Sequence, residues 1–177
     1  DIVQAGTHGK LTLMGLSRHL NPMTPIHHRI KRVDRLLGNK KLQHECIGIY
    51  EAVCKTVLQG EKHPAIIVDW SDVTADRRVQ LLRASVVIQG RSMTLYEEIH
   101  PLKNYAAPKV HERFISRLKS MLPVGCAPVF VTDAGFRAPW FKLLNQHGYA
   151  WIGRIRNRDM VRSVMPDQEW QGCKNLY

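Results

Sequence analysis

The chain has 177 residues, 26 of them Lys or Arg and 15 Asp or Glu, for a formal charge of +11. A hydrophobic fraction of 44% supplies a core for one compact domain with room for a small appendage, which excludes wholesale disorder. No apolar run approaches the roughly 20 residues of a membrane helix, and Asp1-Ile2-Val3-Gln4 lacks the parts of a secretory leader. Cys46, Cys54, Cys126 and Cys173 form no C-x-x-C pair and have no His at zinc-finger spacing, so small buried thiols in a reducing cytoplasm are expected. The missing initiator Met points to a piece of a longer chain. Split after Pro64 and Asp133, the net charges are +5, +2 and +4, so the excess sits at the two ends. Such a surface favours polyanions through counterion release.

Residues 1–64 read as helical. Leu11–Leu20 carries apolar residues at 13, 16 and 20, and Asn21-Pro22 breaks the pattern. Thr24-Pro25 then opens a helix, with Thr as its cap and Pro at its first position. That helix, Ile26 to Leu37, puts Ile26, Ile30, Val33 and Leu37 on one face and His28, Arg29, Lys31, Arg32 and Arg35 on the other, and ends at Gly38-Asn39. A third helix, Leu42 to Leu58, has Ile47, Tyr50, Val53, Cys54 and Val57 as its stripe. A short helix, a turn and a basic amphipathic helix form what a helix-turn-helix DNA reader needs. The same pattern fits core-packing helices with a solvated basic face, and the pattern alone favours these.

From Ala65 the periodicity changes. Ala65-Ile66-Ile67-Val68 predicts a strand buried on both faces and ending at Asp69. Val79–Ile88, with Leu82, Ala84, Val86 and Ile88 on one face, joins Ser92–Ile99, alternating through Met93, Leu95 and Ile99, by a tight turn at Gln89-Gly90. Pro108–Leu122 predicts a helix with Val110, Phe114, Leu118 and Met121 inward and Lys109, Arg113 and Arg117 opposite. A second buried strand, Pro128–Thr132, ends at Asp133; Gly135 turns the chain, a helix follows from Pro139 to His147, and Tyr149–Ile155 is a further strand. After Arg158 the pattern fades. The order predicts an α/β mixed sheet, antiparallel β1-β2-β3 followed by parallel strands with crossover helices, as in the ribonuclease-H-like fold. Residues 1–64 form the helical region and 65–177 the sheet domain.

If the strands before Asp69 and Asp133 are adjacent and parallel, both carboxylates emerge at one carboxyl edge of the sheet, where such sheets bind ligands. Two carboxylates so close repel unless a cation lies between them, and Mg²⁺, with Mn²⁺ as a substitute, is the expected ion. Two such ions clamp the attacking and leaving oxygens of a phosphoryl transfer. Either Asp alone is more simply a turn former, as Asp72 and Asp76 are read. Glu97 and Glu98 read as exposed partners of arginines, and His27-His28 as solvent-facing. Trp140, Phe141, Tyr149 and Trp151 read first as core, although aromatics near a cleavage point also stack on unpaired bases.

Five ordered blocks carry a resemblance: Ile30–Asn39 (IKRVDRLLGN), Val68–Asp72 (VDWSD), Leu82–Ser85 (LRAS), Gly90–Glu97 (GRSMTLYE) and Asp133–Trp140 (DAGFRAPW). The chain resembles the DDE-class insertion-sequence transposases of the insertion sequence four family from about Leu11 to Leu176. The resemblance implies a ribonuclease-H-like core in which Asp69 and Asp133 match the first two acids of a catalytic, metal-binding triad. It also implies binding of terminal inverted repeats, strand hydrolysis, hairpin formation and transfer to target DNA by cut-and-paste. Double-stranded DNA is then the partner, with a dimer in the DNA complex, no membrane, and a place at the bacterial nucleoid. Residues 11–37 fall where relatives contribute to end binding, which makes Arg29, Lys31, Arg32 and Arg35 candidate DNA contacts. The family's third acid belongs to a Tyr-x-x-Arg-x-x-x-Glu-x-x-x-x-x-x-Lys motif that this sequence lacks. The chain alone is therefore expected to be inactive or very weak. A truncated end-binding regulator is the alternative reading, and an unrelated ribonuclease-H-like nuclease a more distant one.

Overall fold

A computed structural model describes residues 2–6, 10, 12–156, 159–163 and 169–176; Leu11, Arg158 and Tyr177, which enter the sequence reading, lie outside them. Contacts divide the chain into two compact units, Asp1–Ile49 and Tyr50–Tyr177. Among the described residues no helix is long and apolar enough to cross a membrane. All four cysteines are free, with Cys54 and Cys173 buried.

The first unit holds α1 (Ile2–Gly6), α2 (Leu13–Arg18), α3 (Ile26–Leu37) and the start of α4 (Lys40–Val57). Thr12 caps α2, its hydroxyl accepting the Gly15 N–H at 3.0 Å. The cap expected from Thr24 does not form: α3 starts directly after Pro25 with no side-chain cap, and the fixed φ of proline sets its entry. Ala5, Leu16, Leu20 and Val33 make a small core. The six residues of α2 are half the twelve of α3, so only the middle of the α3 stripe is covered. Ile26 and Leu37, at its ends, stay 40% and 57% exposed.

The second unit is an α/β assembly around a five-stranded mixed sheet of order β3-β2-β1-β4-β5. Its strands are β1 (Ala65–Asp72), β2 (Val79–Ile88), β3 (Arg91–Pro101), β4 (Val129–Thr132) and β5 (Ala150–Gly153). β1 pairs antiparallel with β2 and β2 with β3, while β4 runs parallel to both β1 and β5. Gln89 and Gly90 both have positive φ, 49° and 74°, as a two-residue hairpin turn of the strands' own twist requires. Helices α5 (Pro108–Met121) and α6 (Ala138–Gln146) and the end of α4 pack on the sheet. Cys54 and Leu58, in and just after α4, join this core, so the division between units falls inside α4 rather than at residue 64. Beyond β5, β6 (Met160–Val161) and β7 (Gln171–Gly172) form a small antiparallel ladder.

Three expectations change. β1 is buried on one face only: Ile66 and Val68 are fully covered, whereas Ile67 is 36% exposed, because the helices of this core all lie against the even-numbered face. The strand also runs on past Asp69 to Asp72. In β3 the expected Met93–Leu95–Ile99 face breaks at a bulge, where Ala84 pairs with Tyr96 but Ser85 with Thr94, leaving Leu95 as the extra residue. The bulge changes the phase of the strand, so Tyr96, Glu98 and His100 turn inward while Met93 and Ile99 face out.

Candidate active site at the sheet edge

The last register pair between β1 and β4 is Val68 with Thr132; Asp69, within β1, and Asp133, the first residue after β4, directly follow that pair. Such strands lie about 4.8 Å apart. Alternation along β1 puts Asp69 on the face of Ile67, away from the helices, and both acids are exposed. Asp133 Oδ1 accepts the Gly135 N–H at 2.9 Å, and Asp69 Oδ2 accepts the Ser71 hydroxyl at 3.1 Å. A Cβ on Gly135 would lie 2.9 Å from Asp133 Oδ1, so a larger residue there displaces the carboxylate. Arg83 stands opposite Asp69 on β2, yet its guanidinium pairs with Glu97 across the hairpin at 3.0 Å. Among the described residues neither aspartate forms a salt bridge.

Behind the edge, His111 on α5 ties the two strand ends together. Its Nε2 accepts the Trp70 indole N–H at 3.1 Å, one residue beyond Asp69. Its ring stacks on Phe136 at 5.4 Å and meets the edge of Trp140 at 5.0 Å, both just beyond Asp133. Burial, and secondarily the neighbouring His100, lowers the His111 pKa to about 4. The ring is therefore neutral at pH 7, and accepting at Nε2 leaves its proton on Nδ1.

Glu98 departs from expectation. It is 9% exposed and takes Arg113 and Arg117 at 2.9 Å each, Tyr96 Oη at 2.6 Å and His100 at 2.8 Å. Burial works to raise its pKa, but these donors outweigh it and hold the carboxyl below its ordinary value. Arg113 and Arg117 are thus bound to the sheet rather than turned to the opposite side of α5. Asp72 ends β1 in contact with Gln80 and Arg77, whereas Asp76 forms the expected turn with Thr74 and Arg78. Trp140 is core, Phe141 and Tyr149 half-buried, and Trp151 is 40% exposed.

The sequence reading missed one basic feature. A cavity of about 500 Å³ beside Asp133 is lined by Arg137, Arg154 and Arg156 over Phe136, Phe141 and Ile155. Among the described residues none of these arginines forms a salt bridge. The only sequence signal was the Arg-Ile-Arg run after β5, which carries no spacing rule of its own.

In the first unit the four basic residues of α3 divide. Arg29 turns back, its Nη1 donating to the carbonyls of Ser17, Arg18 and Leu20 at 3.3 Å each, where it satisfies the end of α2. Lys31, Arg32 and Arg35 are exposed, as are His27 and His28.

The donor set at the edge suits a hard divalent cation: two exposed carboxylates, four oxygens, and no covering side-chain cation. Among the described residues no third His, Cys, Asp or Glu joins them in a metal-holding group. No family model, curated protein or solved structure gives a significant match to the chain.

Proposed function

We propose that the chain is a metal-dependent DNA phosphoryl-transfer module of the DDE transposase kind, built on a ribonuclease-H-like sheet. One observation carries the reading: Asp69 and Asp133, 64 positions apart in sequence, directly follow Val68 and Thr132, the last register pair of parallel β1 and β4. The five sequence blocks and the five-stranded mixed sheet support it. Bound there, Mg²⁺ or Mn²⁺ would be held by Asp69 and Asp133 and would activate a water or 3′ hydroxyl toward a phosphodiester.

The chain's own residues do the rest. Ser71 and the Gly135 N–H orient the two carboxylates. His111 contacts both Trp70, next to Asp69, and Phe136 and Trp140, beyond Asp133, and so braces the segments that carry the two acids. Arg137, Arg154 and Arg156 offer unpaired donors to phosphate oxygens next to Asp133. Lys31, Arg32 and Arg35 supply the DNA-end contacts, while Arg29 fixes α2 against α3 so that the pair presents as a helix-turn-helix.

The test uses Mn²⁺ binding, followed by electron paramagnetic resonance, and binding of duplexes bearing the inverted repeats that flank the gene. Asp69→Asn and Asp133→Asn should each weaken Mn²⁺ binding about tenfold or more and leave repeat binding intact. Unchanged Mn²⁺ affinity in both variants removes the aspartates from the site. Replacing Lys31, Arg32 and Arg35 by Ala should reduce the salt slope of repeat binding by about one for each phosphate no longer neutralised. Nicking by this chain is expected to be absent or very weak on either reading, because the sequence lacks the family's third acid, so metal binding and repeat binding carry the test.

A further inference from the structure

We propose that the cavity between α5 and α6 binds one small uncharged molecule carrying a carboxamide, an inference that goes beyond the proposed function and does not rest on it. The cavity measures about 210 Å³. It is lined by Pro108, His111 and Glu112 from α5 and by Pro139, Leu143 and Gln146 from α6. Positions three and four apart share one side of a helix, so each helix presents a short stripe to the space between them. The volume is below the roughly 300–1,000 Å³ of drug-sized sites, and a molecule of benzamide size suits it.

One buried polar group gives the cavity its chemistry. His111 is 5% exposed, and its Nε2 is taken by the Trp70 indole N–H at 3.1 Å, so Nδ1 carries the ring proton. Among the described residues no acceptor meets that Nδ1–H. Phe136 stacks on the ring and Trp140 meets it edge-on, which holds the imidazole in place and keeps it from turning to find one. A buried donor without an acceptor is costly, and the cavity that His111 lines is the space an acceptor can enter.

The other lining residues select the charge. Glu112 is exposed and forms no salt bridge among the described residues. Its carboxylate repels an entering anion, whereas a cation meets a donor rather than an acceptor at His111. A carboxamide satisfies both groups: its carbonyl oxygen accepts from Nδ1–H and its N–H donates to Glu112. Pro108, Pro139 and Leu143 give the rest of the molecule apolar walls. Occupancy also reaches the sheet edge through the same ring, because an acceptor at Nδ1 makes Nε2 a stronger acceptor for the Trp70 N–H.

The experiment follows the ring nitrogens of His111 in the full chain by nitrogen-15 NMR while benzamide, benzoate or benzylamine is added. Benzamide should shift the Nδ1 signal saturably, and the two charged probes should not at the same concentrations. Glu112→Gln keeps an acceptor and removes the charge, so it should retain benzamide and admit benzoate. Glu112→Ala should weaken benzamide binding about fivefold, the worth of one ordinary hydrogen bond. Glu112 is exposed, so both variants should keep the fold, which circular dichroism checks. Leu143→Phe, which fills the cavity, should abolish the shift. The absence of a saturable shift in the parent, with water alone in the cavity, overturns the inference. Equal responses to benzamide and benzoate in the parent overturn it too, as does a benzamide response undiminished in Glu112→Ala and Leu143→Phe. Neither metal nor DNA enters the measurement, so its failure leaves the aspartate reading standing.

Discussion

Glu98 and the Asp69–Asp133 pair belong to one sheet, the first on β3, Asp69 within β1 and Asp133 directly after β4. Glu98 faces the helices and is surrounded by donors: two arginines, a tyrosine hydroxyl and a histidine. Asp69 faces away from the helices, Asp133 is exposed just past β4, and the one arginine across from Asp69 is taken by Glu97. Buried charge must be matched from within the fold, since desolvation otherwise exceeds any gain. An exposed pair of like charges can remain unmatched only while water or an added cation screens it. The difference separates a carboxylate that holds the structure from two that are left free for a ligand.

The comparison breaks most readily at Glu98. Glu98→Ala leaves Arg113 and Arg117 without their carboxylate and Tyr96 and His100 without an acceptor. The two guanidinium groups are half exposed and partly resolvate, which limits the loss to about 3 kcal/mol. Denaturant titration should show this, with Glu98→Gln losing less because it keeps an acceptor. A variant as stable as the parent would remove Glu98 from its structural role.

His111 sharpens the same point through pH. Its pKa is about 4 in the fold against an ordinary 6.5, so between these values the unfolded chain binds more protons. Stability is full above about pH 6.5 and falls as pH drops toward 4, by up to about 3 kcal/mol. Glu98, whose pKa is also lowered, adds its own loss only at pH below the ordinary carboxylate range. His111→Gln, which still offers the Trp70 N–H an acceptor, should flatten the curve between pH 6.5 and 4. A curve of unchanged slope would show that His111 is protonated in the fold.

The aspartates should respond in the opposite sense to Glu98. Without metal, Asp69→Asn or Asp133→Asn removes like-charge repulsion, so stability should stay within about 0.5 kcal/mol of the parent or rise slightly. Adding Mn²⁺ should raise the melting temperature of the parent and not of either variant. Destabilisation of several kcal/mol by these substitutions would place the aspartates in the same class as Glu98.

Much of this division was legible in the sequence and part was not. The adjacency of Asp69 and Asp133 follows from two apolar runs that each end in an aspartate, together with the order of strand, hairpin, helix, strand, which leaves few topologies. The Gln89-Gly90 turn, the α5 stripe and the bounds of α3 are local patterns, and each is found where its pattern puts it. The fate of Glu98 was not legible, because a one-residue bulge reverses the inside and outside of the rest of β3 and no residue type marks it. Arg29 looks the same in sequence as Lys31, Arg32 and Arg35; only the three-dimensional approach of α2 shows that its guanidinium serves carbonyls. The one-sided burial of β1 was equally hidden, since Ile66-Ile67-Val68 reads alike whether one face or both are covered.

The smallest expected effect tests the geometry of the free pair rather than its charge. In Gly135→Ala the new Cβ would meet Asp133 Oδ1 at 2.9 Å and Tyr105 Oη at 3.5 Å, both groups on side chains. The exposed carboxylate can swing aside, so folding stability should change by less than about 1 kcal/mol. Once displaced, the carboxylate no longer shares an ion with Asp69 in the same geometry, and Mn²⁺ affinity should fall several-fold, less than in Asp133→Asn. Chelate binding by two rigid strand ends requires this coupling between a turn glycine and metal affinity. If Mn²⁺ bound the alanine variant as tightly as the parent, the ion would not depend on the orientation that the Gly135 N–H gives to Asp133.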